Sequence, residues 1–279
     1  MLLELEAVSK IYGIGCGECC ALTGETGAGG AICPRCASVV AVNQVDLQVA
    51  EGEVLGVVGE SGSGKSTLLQ LIYQDQPVSS GRIFFNGMLD QKGERQDILT
   101  LPSTLKARLR GRDMSMIYQN PHRGLNFNFS AGGNIAEKIL DANERNYQTI
   151  RSRALHFFTK IEMPPSRIDD YPDAFSGGQQ QRIQIAKALS SSPRLLLLDE
   201  PTTGLDVSVQ ARILDLIKAL QREMGFAMIV VSHDLGVINH LTDLTLVMKN
   251  GCLVEYGLTD QILEDPQHAY TQLLVSSKL

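Results

Sequence analysis

EVLGVVGESGSGKSTLLQLI, residues 53–72, starts as a short β-branched apolar run, turns through glycines and continues with apolar residues at helical spacing. A strand, a glycine-rich loop and a helix in that order mark an α/β fold whose loop lies at the carboxyl end of a buried strand. The loop fits the pattern G-x-x-x-x-G-K-[ST], with Gly59, Gly64, Lys65 and Ser66 at the defining positions and Glu60, Ser61, Gly62 and Ser63 between them. Gly62 and Gly64 let the backbone come close to a ligand, so successive N–H groups through Thr67, and the helix N-terminus behind them, face a polyphosphate. In this arrangement the Lys65 ammonium reaches the terminal phosphates and the Ser66 hydroxyl sits on Mg²⁺.

Downstream, RLLLLDEPTTGLD, residues 194–206, is an apolar strand that delivers Asp199 and Glu200 at its end, where an open α/β sheet has its ligand crevice. Asp199 suits Mg²⁺ held through water, and Glu200 suits polarising the water that attacks the last phosphate. Alone, such a pair reads as a solvated strand end; with the phosphate loop upstream it reads as catalytic. Residues 171–193, YPDAFSGGQQQRIQIAKALSSSP, put Ser176, Gly177, Gly178 and Gln179 at the start of a helix. Ser176 suits a plain N-cap, and the same residues form a second anion nest. A chain with one nucleotide has no use for a second nest unless it faces a nucleotide held by another subunit.

Taken together, the phosphate loop, Gln119 in IYQNP, FSGGQ, LLLLDE, the GLD of Gly204 to Asp206 and His233 in VVSHD resemble, in order and spacing, the ATP-binding cassette ATPases. The resemblance covers the chain apart from residues 13–38. It implies an α/β P-loop NTPase fold, residues 1–279, with an antiparallel β subdomain and an inserted α-helical subdomain at about 120–190. It further implies ATP and Mg²⁺ as ligands, and a head-to-tail dimer, most simply a homodimer, with nucleotide between one subunit's P-loop and the other's signature at Ser176 to Gln179. By the same resemblance Gln119 contacts metal and water, His233 holds the last phosphate, Asp206 couples the two sites and Tyr12 stacks on adenine. Two positions depart from the usual pattern: Phe175 precedes the signature where leucine is common, and Gly204 stands where alanine is common.

Within the family, SAGGNIAEKIL (130–140), RIDDYP (167–172), LDVSVQARILDL (205–216), HDLGV (233–237) and HAYTQLLVSS (268–277) resemble the K subunits of carbon–phosphorus lyase systems, which break down phosphonates. The competing resemblance is to the ATPases of dipeptide and oligopeptide importers, which share LDVSVQ and the HAYTQ ending and usually run on past the point where this chain stops. The two imply different partners: lyase core subunits, or membrane permeases.

Composition agrees with an enzyme core rather than a nucleic-acid binder: 279 residues, 43% hydrophobic, net charge −6. MLLELEAVSKIYG lacks the basic start and unbroken apolar run of a signal peptide, and no apolar stretch reaches the roughly 20 residues of a membrane span. A cytoplasmic location is expected, peripheral to the inner membrane if the partner is an importer. Residues 1–12 and 39–58 read as antiparallel strands framing the base, 79–88 as a further strand, 91–113 as a linker plus basic helix and 251–279 as a C-terminal appendix.

Residues 13–38 hold Cys16-x2-Cys19 and Cys33-x2-Cys36 with 13 residues between the pairs, the spacing of a small zinc-ribbon-like module. Thiols stay reduced in a cytoplasmic chain, so metal is preferred to disulfides. Zn²⁺ is the expected ion, and an iron–sulfur cluster would use similar ligands. Cys20 could replace Cys19, and Cys252 stands alone in a late strand turn, where it is expected to be simply buried. GETGAGG, residues 24–30, lacks the lysine and hydroxyl of a phosphate loop and reads as the span between the two knuckles.

Overall fold

The computed structural model describes residues 1–25, 30–89 and 92–277, so the inner residues of GETGAGG lie outside the described residues. The chain divides into two compact units, one formed by residues 1–102 and 229–279 and the other by 103–228.

In the first unit, β1 (Leu3–Tyr12), β2 (Val39–Val49), β4 (Ser80–Leu89) and β5 (Arg95–Asp97) form a four-stranded antiparallel sheet in the order β2-β1-β4-β5. Along β2 buried residues largely alternate with exposed ones, as expected of a sheet with one face on the core. β3 (Val54–Val58) leaves this frame, contrary to the assignment of all of 39–58 to it. Every residue of VLGVV is buried, and β3 pairs in parallel with β9 (Leu244–Lys249), Leu55 opposite Leu244. A strand covered on both faces belongs in a parallel layer. The short β5 carries no apolar alternation and gave no signal in the sequence.

The unit is completed by α1 (Cys19–Leu22), α2 (Lys65–Ile72), α9 (Leu235–Leu241), β10 (Cys252–Leu258), α10 (Thr259–Glu264) and α11 (Ala269–Ser276). The region after residue 250 therefore opens with a strand, antiparallel to β9, with Cys252 opposite Lys249. Asn250 and Gly251, with φ of 48° and 81°, make the two-residue turn between them. Positive φ at both positions is the demand that makes Asn-Gly the preferred sequence for such hairpins.

The second unit contains α3 (Ser103–Arg112), β6 (Met114–Ile117), α4 (Pro121–Gly124), α5 (Ala131–Asp141), α6 (Tyr147–Lys160), α7 (Gly177–Leu189), β7 (Leu195–Asp199) and α8 (Val207–Met224), and the chain leaves it through β8 (Ala227–Val231). β6 and β7 pair in parallel, and LLLLD of β7 is buried throughout. α5, α6 and α7 pack on one another around Ile135, Ile139, Phe157, Phe158 and Ile183. Gly132 in SAGGNI has a packing reason: a Cβ there would lie 2.9 Å from the Ile168 side chain. The Asn134 side chain is fully buried yet satisfied, accepting from Asn126 N at 2.7 Å and donating to Asn126 O at 2.9 Å.

Phe175, the unusual residue ahead of the signature, lies 5% exposed with its ring edge-on to Phe158, centroids 6.4 Å apart, and under the Arg167 guanidinium at 4.2 Å. An aromatic ring here exchanges aliphatic packing for edge-to-face and cation–π contacts. Among the described residues no helix is long and apolar enough to cross a membrane. Truncating the fully buried Phe158 to alanine is expected to destabilise the second unit by about 3–5 kcal/mol, read as a shift in urea-induced unfolding, and a loss below about 1 kcal/mol would contradict this packing.

Candidate nucleotide site and cysteine cluster

The phosphate loop runs from the end of β3 into α2, and its shape is dictated by close backbone approaches. Gly64 has φ 104°, and a Cβ built on it would lie 2.0 Å from the Ala41 carbonyl oxygen of β2. Gly59, with φ 153°, would bring a Cβ to 2.2 Å from Met248 O. Both glycines are required by the fold itself. Gly62 differs: φ is 82° but nothing lies within 4 Å of its Cβ position, so the loop is open on that side.

Lys65 is 5% exposed, and its ammonium donates to Gly59 O at 2.9 Å, Glu60 O at 2.8 Å and Ser63 Oγ at 3.4 Å. A buried cation curled into its own loop, at the N-terminus of a helix, is a donor set that recruits an anion. The loop is braced from outside by Gly251 N, which donates to Ser63 O at 3.0 Å, and by Tyr270, whose phenolic oxygen accepts from Glu60 N at 2.9 Å. Sequence reading missed Tyr270, 210 residues away along the chain. Tyr12, also in this unit, is 38% exposed; its hydroxyl donates to Gln76 Oε1 at 3.1 Å and Lys10 Nζ lies 4.9 Å from its ring centroid. His233 is exposed and directly precedes Asp234, the N-cap of α9.

The second unit brings Gln119 and Glu200 together. Gln119 Nε2 donates to Glu200 Oε2 at 3.3 Å, and Thr203 Oγ1 donates to the same oxygen at 2.9 Å. Asp199 ends the buried β7 and is 5% exposed. Glu200 has φ 48°, a left-handed conformation that costs a non-glycine residue energy and marks sites where aim matters more than comfort. Thr203 was missed by sequence reading, because its only mark was a threonine within PTTG. Gln184, 1% exposed on α7, closes a ring with the Tyr118 backbone, accepting from its N–H at 2.7 Å and donating to its carbonyl at 3.1 Å, which fixes the residue before Gln119.

The signature begins α7 with a reciprocal capping box: Gln179 N donates to Ser176 Oγ at 3.4 Å and Ser176 N to Gln179 Oε1 at 3.1 Å. The Ser176 hydroxyl accepts in this box, which leaves its proton for another ligand. Gly177 opens the helix, and a Cβ on Gly178 would meet Val209 of α8 at 2.6 Å. Asp206 caps α8, accepting from Ser208 Oγ at 2.7 Å and Val209 N at 2.9 Å, and these bonds hold its carboxyl below the ordinary aspartate range.

In the insertion, the sulfurs of Cys16, Cys19, Cys33 and Cys36 all lie within 4.8 Å of one another, with closest pairs at 3.4, 3.5 and 3.7 Å. Four thiolates about 2.3 Å from one tetrahedral ion stand about 3.8 Å apart, so this set fits a single ion; a multi-iron cluster would need to fit its irons and sulfides between them. Cys19 faces the cluster, and Cys20, the possible substitute, does not join it. The Ser38 hydroxyl and N–H lower Cys36 to about 6, while burial and the neighbouring thiols outweigh the Cys16 N–H and push Cys19 up to about 12. Binding an ion to this set displaces protons, so its affinity falls as pH falls.

Cys252 is not isolated, contrary to expectation. It opens β10 half-buried beside the insertion, where burial raises its thiol and Glu25, Cys20 and the Asn43 side chain are its neighbours. Residues joined so far apart along the chain leave no local pattern to read.

A polyphosphate loop, a strand-end Asp-Glu pair with its glutamine and a capped SGGQ helix define an ATP-binding cassette ATPase, and residues 42–203 match the ABC transporter family model; the chain belongs to this family. Among its relatives is the phosphonates utilization ATP-binding protein PhnK of Escherichia coli K12, 46% identical over 237 residues, spanning 85% of this chain and 91% of PhnK. The oligopeptide transport ATP-binding protein OppF of Lactococcus lactis is 39% identical over 240 residues, 86% of this chain and 72% of OppF. The fold is similar to the dimeric post-hydrolysis structure of the cassette MJ0796 bound to ADP and Pi, with TM-score 0.75, 26% identity and coverage of 92% of this chain and 99% of that one.

Gly64→Ala is expected to weaken MgATP binding at least about tenfold in isothermal titration, because a strained backbone and a clash with Ala41 O distort the loop. Unchanged affinity would remove residues 59–66 from the nucleotide site.

Proposed function

We propose that this chain is the ATP-hydrolysing subunit of a carbon–phosphorus lyase system, working as a head-to-tail dimer of cassettes that remodels a phosphonate-degrading complex. The observation that carries this reading is the 46% identity with PhnK across 91% of that protein. The OppF relatives supply the second reading, an importer ATPase, at 39% identity.

In the proposed dimer, residues 59–67 wrap the phosphates with backbone N–H groups while Lys65 neutralises the terminal charge. Ser66, Asp199 and Gln119 are the residues that would hold Mg²⁺, which supplies charge neutralisation at the transferred phosphoryl group. Glu200, held by Gln119 and Thr203, accepts the proton of the attacking water, and His233 steadies the last phosphate. The Ser176 hydroxyl, already an acceptor in its capping box, donates its proton to the nucleotide of the facing subunit. Asp206 joins the two sites and Tyr12 lies against the base. In this reading the chain works in the cytoplasm, and the four clustered cysteines hold a structural Zn²⁺.

Glu200→Gln is expected to lower ATP turnover at least about 100-fold, the usual scale for a lost general base, while MgATP still drives dimerisation on size exclusion. An unchanged rate removes Glu200 as the base. Affinity isolation of the tagged wild-type chain from phosphonate-grown cells separates the two partner readings: lyase core subunits support the proposal, and integral membrane permeases overturn it in favour of the importer.

A further inference from the structure

The insertion at residues 13–38 is absent from the proposed catalytic cycle, yet its hydrogen bonds lead to the phosphate loop by two independent routes. The first runs beneath the loop. The second cysteine knuckle feeds directly into β2: Cys33 N donates to Ser38 O at 2.8 Å, Val40 N to Ala31 O at 2.8 Å, and Ile32 bridges to Val39. Four residues into β2, the Asn43 side chain reaches back and donates to Cys20 O at 2.9 Å, with Thr23 O and Oγ1 at 3.4 Å. Asn43 N then donates to Gly251 O at 2.9 Å, and Gly251 N to Ser63 O of the loop at 3.0 Å. The same stretch of β2 supplies the Ala41 carbonyl against which Gly64 is packed.

The second route runs along the loop's other flank. Glu25 of the insertion contacts Nε2 of His268. His268 caps α11, its Nδ1 accepting from Tyr270 N at 3.1 Å, and the Tyr270 hydroxyl oxygen accepts from Glu60 N at 2.9 Å. Ser63 and Glu60, at the two ends of the loop's crown, are thus both tied to the insertion.

Among the described residues the insertion is held by an exposed Arg35–Glu18 ion pair, local hydrogen bonds and little apolar packing. Among the described residues its buried core is Cys19, Cys33 and Val40, with Ile11, Cys16, Cys20, Leu22 and Cys36 packed alongside. A module with so small an apolar core depends on a metal for its fold, because the binding free energy of the ion is its folding free energy.

We propose that the four-cysteine module is a metal-dependent clasp on the phosphate loop: one tetrahedral, Zn²⁺-class ion orders residues 16–25 and 30–36, and through Asn43 and His268 that order holds residues 60–63 in the shape that receives ATP. Loss of the ion releases both braces and lowers affinity for MgATP without touching the hydrolytic carboxylate. This rests on reading residues 59–66 as the ATP loop and the four sulfurs as ligands of a zinc ion. Asn43 is a positioning residue. Alanine there removes the Nδ2 donor from Cys20 O and the Thr23 oxygens and leaves the backbone bond from residue 43 to Gly251 O in place.

The test uses the full-length chain. Zinc per chain is measured by mass spectrometry, and MgATP kinetics are compared for the zinc-loaded protein, for protein stripped by a chelator under reducing conditions, and for stripped protein given Zn²⁺ back. One zinc per chain is expected, absent in Cys33→Ser, and stripping is expected to raise KM for MgATP about tenfold, reversed by Zn²⁺. Asn43→Ala is expected to keep its zinc and its far-ultraviolet spectrum while KM rises about fivefold and kcat changes less than about twofold. If no zinc is bound, the underlying metal reading fails and the clasp with it. If zinc is bound but KM stays the same in both the stripped protein and Asn43→Ala, the clasp alone is overturned. The Asn43 variant decides the matter even if the stripped chain unfolds, because it retains the ion.

Discussion

A buried ammonium organises this molecule. Lys65 lies in its own loop with its charge against Gly59 O, Glu60 O and Ser63 Oγ, and such a charge is tolerable only where oxygens close around it. Keeping them in place demands a loop with no room for side chains at Gly59 and Gly64, pressed against the carbonyls of Met248 and Ala41. Those two carbonyls belong to β9 and β2, so both sheets of the first unit take part in shaping one short loop. The glycines, the hairpin turn at Asn250 and Gly251 and the phenol of Tyr270 all fix the shape of this one loop.

The second unit meets a different demand, which is to aim a carboxylate. Glu200 sits in left-handed backbone and shares one oxygen with Gln119 and Thr203, while Gln184 pins the backbone just before Gln119. Two side-chain hydrogen bonds, from Gln119 and Thr203, fix the carboxylate of the strained residue. The capped start of α7 follows a similar economy: Ser176 and Gln179 stabilise the helix with lone pairs and an N–H, and the serine keeps a proton to give.

Much of this was legible along the chain because it is local. The loop at 59–66, the apolar run ending in Asp199 and Glu200, the SGGQ helix start and the paired Cys-x2-Cys knuckles each occupy a few consecutive residues whose chemistry needs that spacing. What escaped is non-local. Nothing near Tyr270 points to Glu60, nothing near Cys252 points to Glu25, and nothing near Phe175 points to the Phe158 ring that meets it edge-on. The run 54–58 was misassigned because a buried strand carries the same composition in either kind of sheet, and only its partner, Leu244–Lys249, tells which.

The central claim is that each ATP site takes its loop from one chain and its signature from another. Mixing two full-length chains, one carrying Lys65→Ala and the other Ser176→Arg, measures this directly through the rate of ATP hydrolysis. The account predicts that each variant alone is inactive and that the mixture regains activity, since one pairing restores an intact loop facing an intact signature. A mixture as inactive as its components would contradict it.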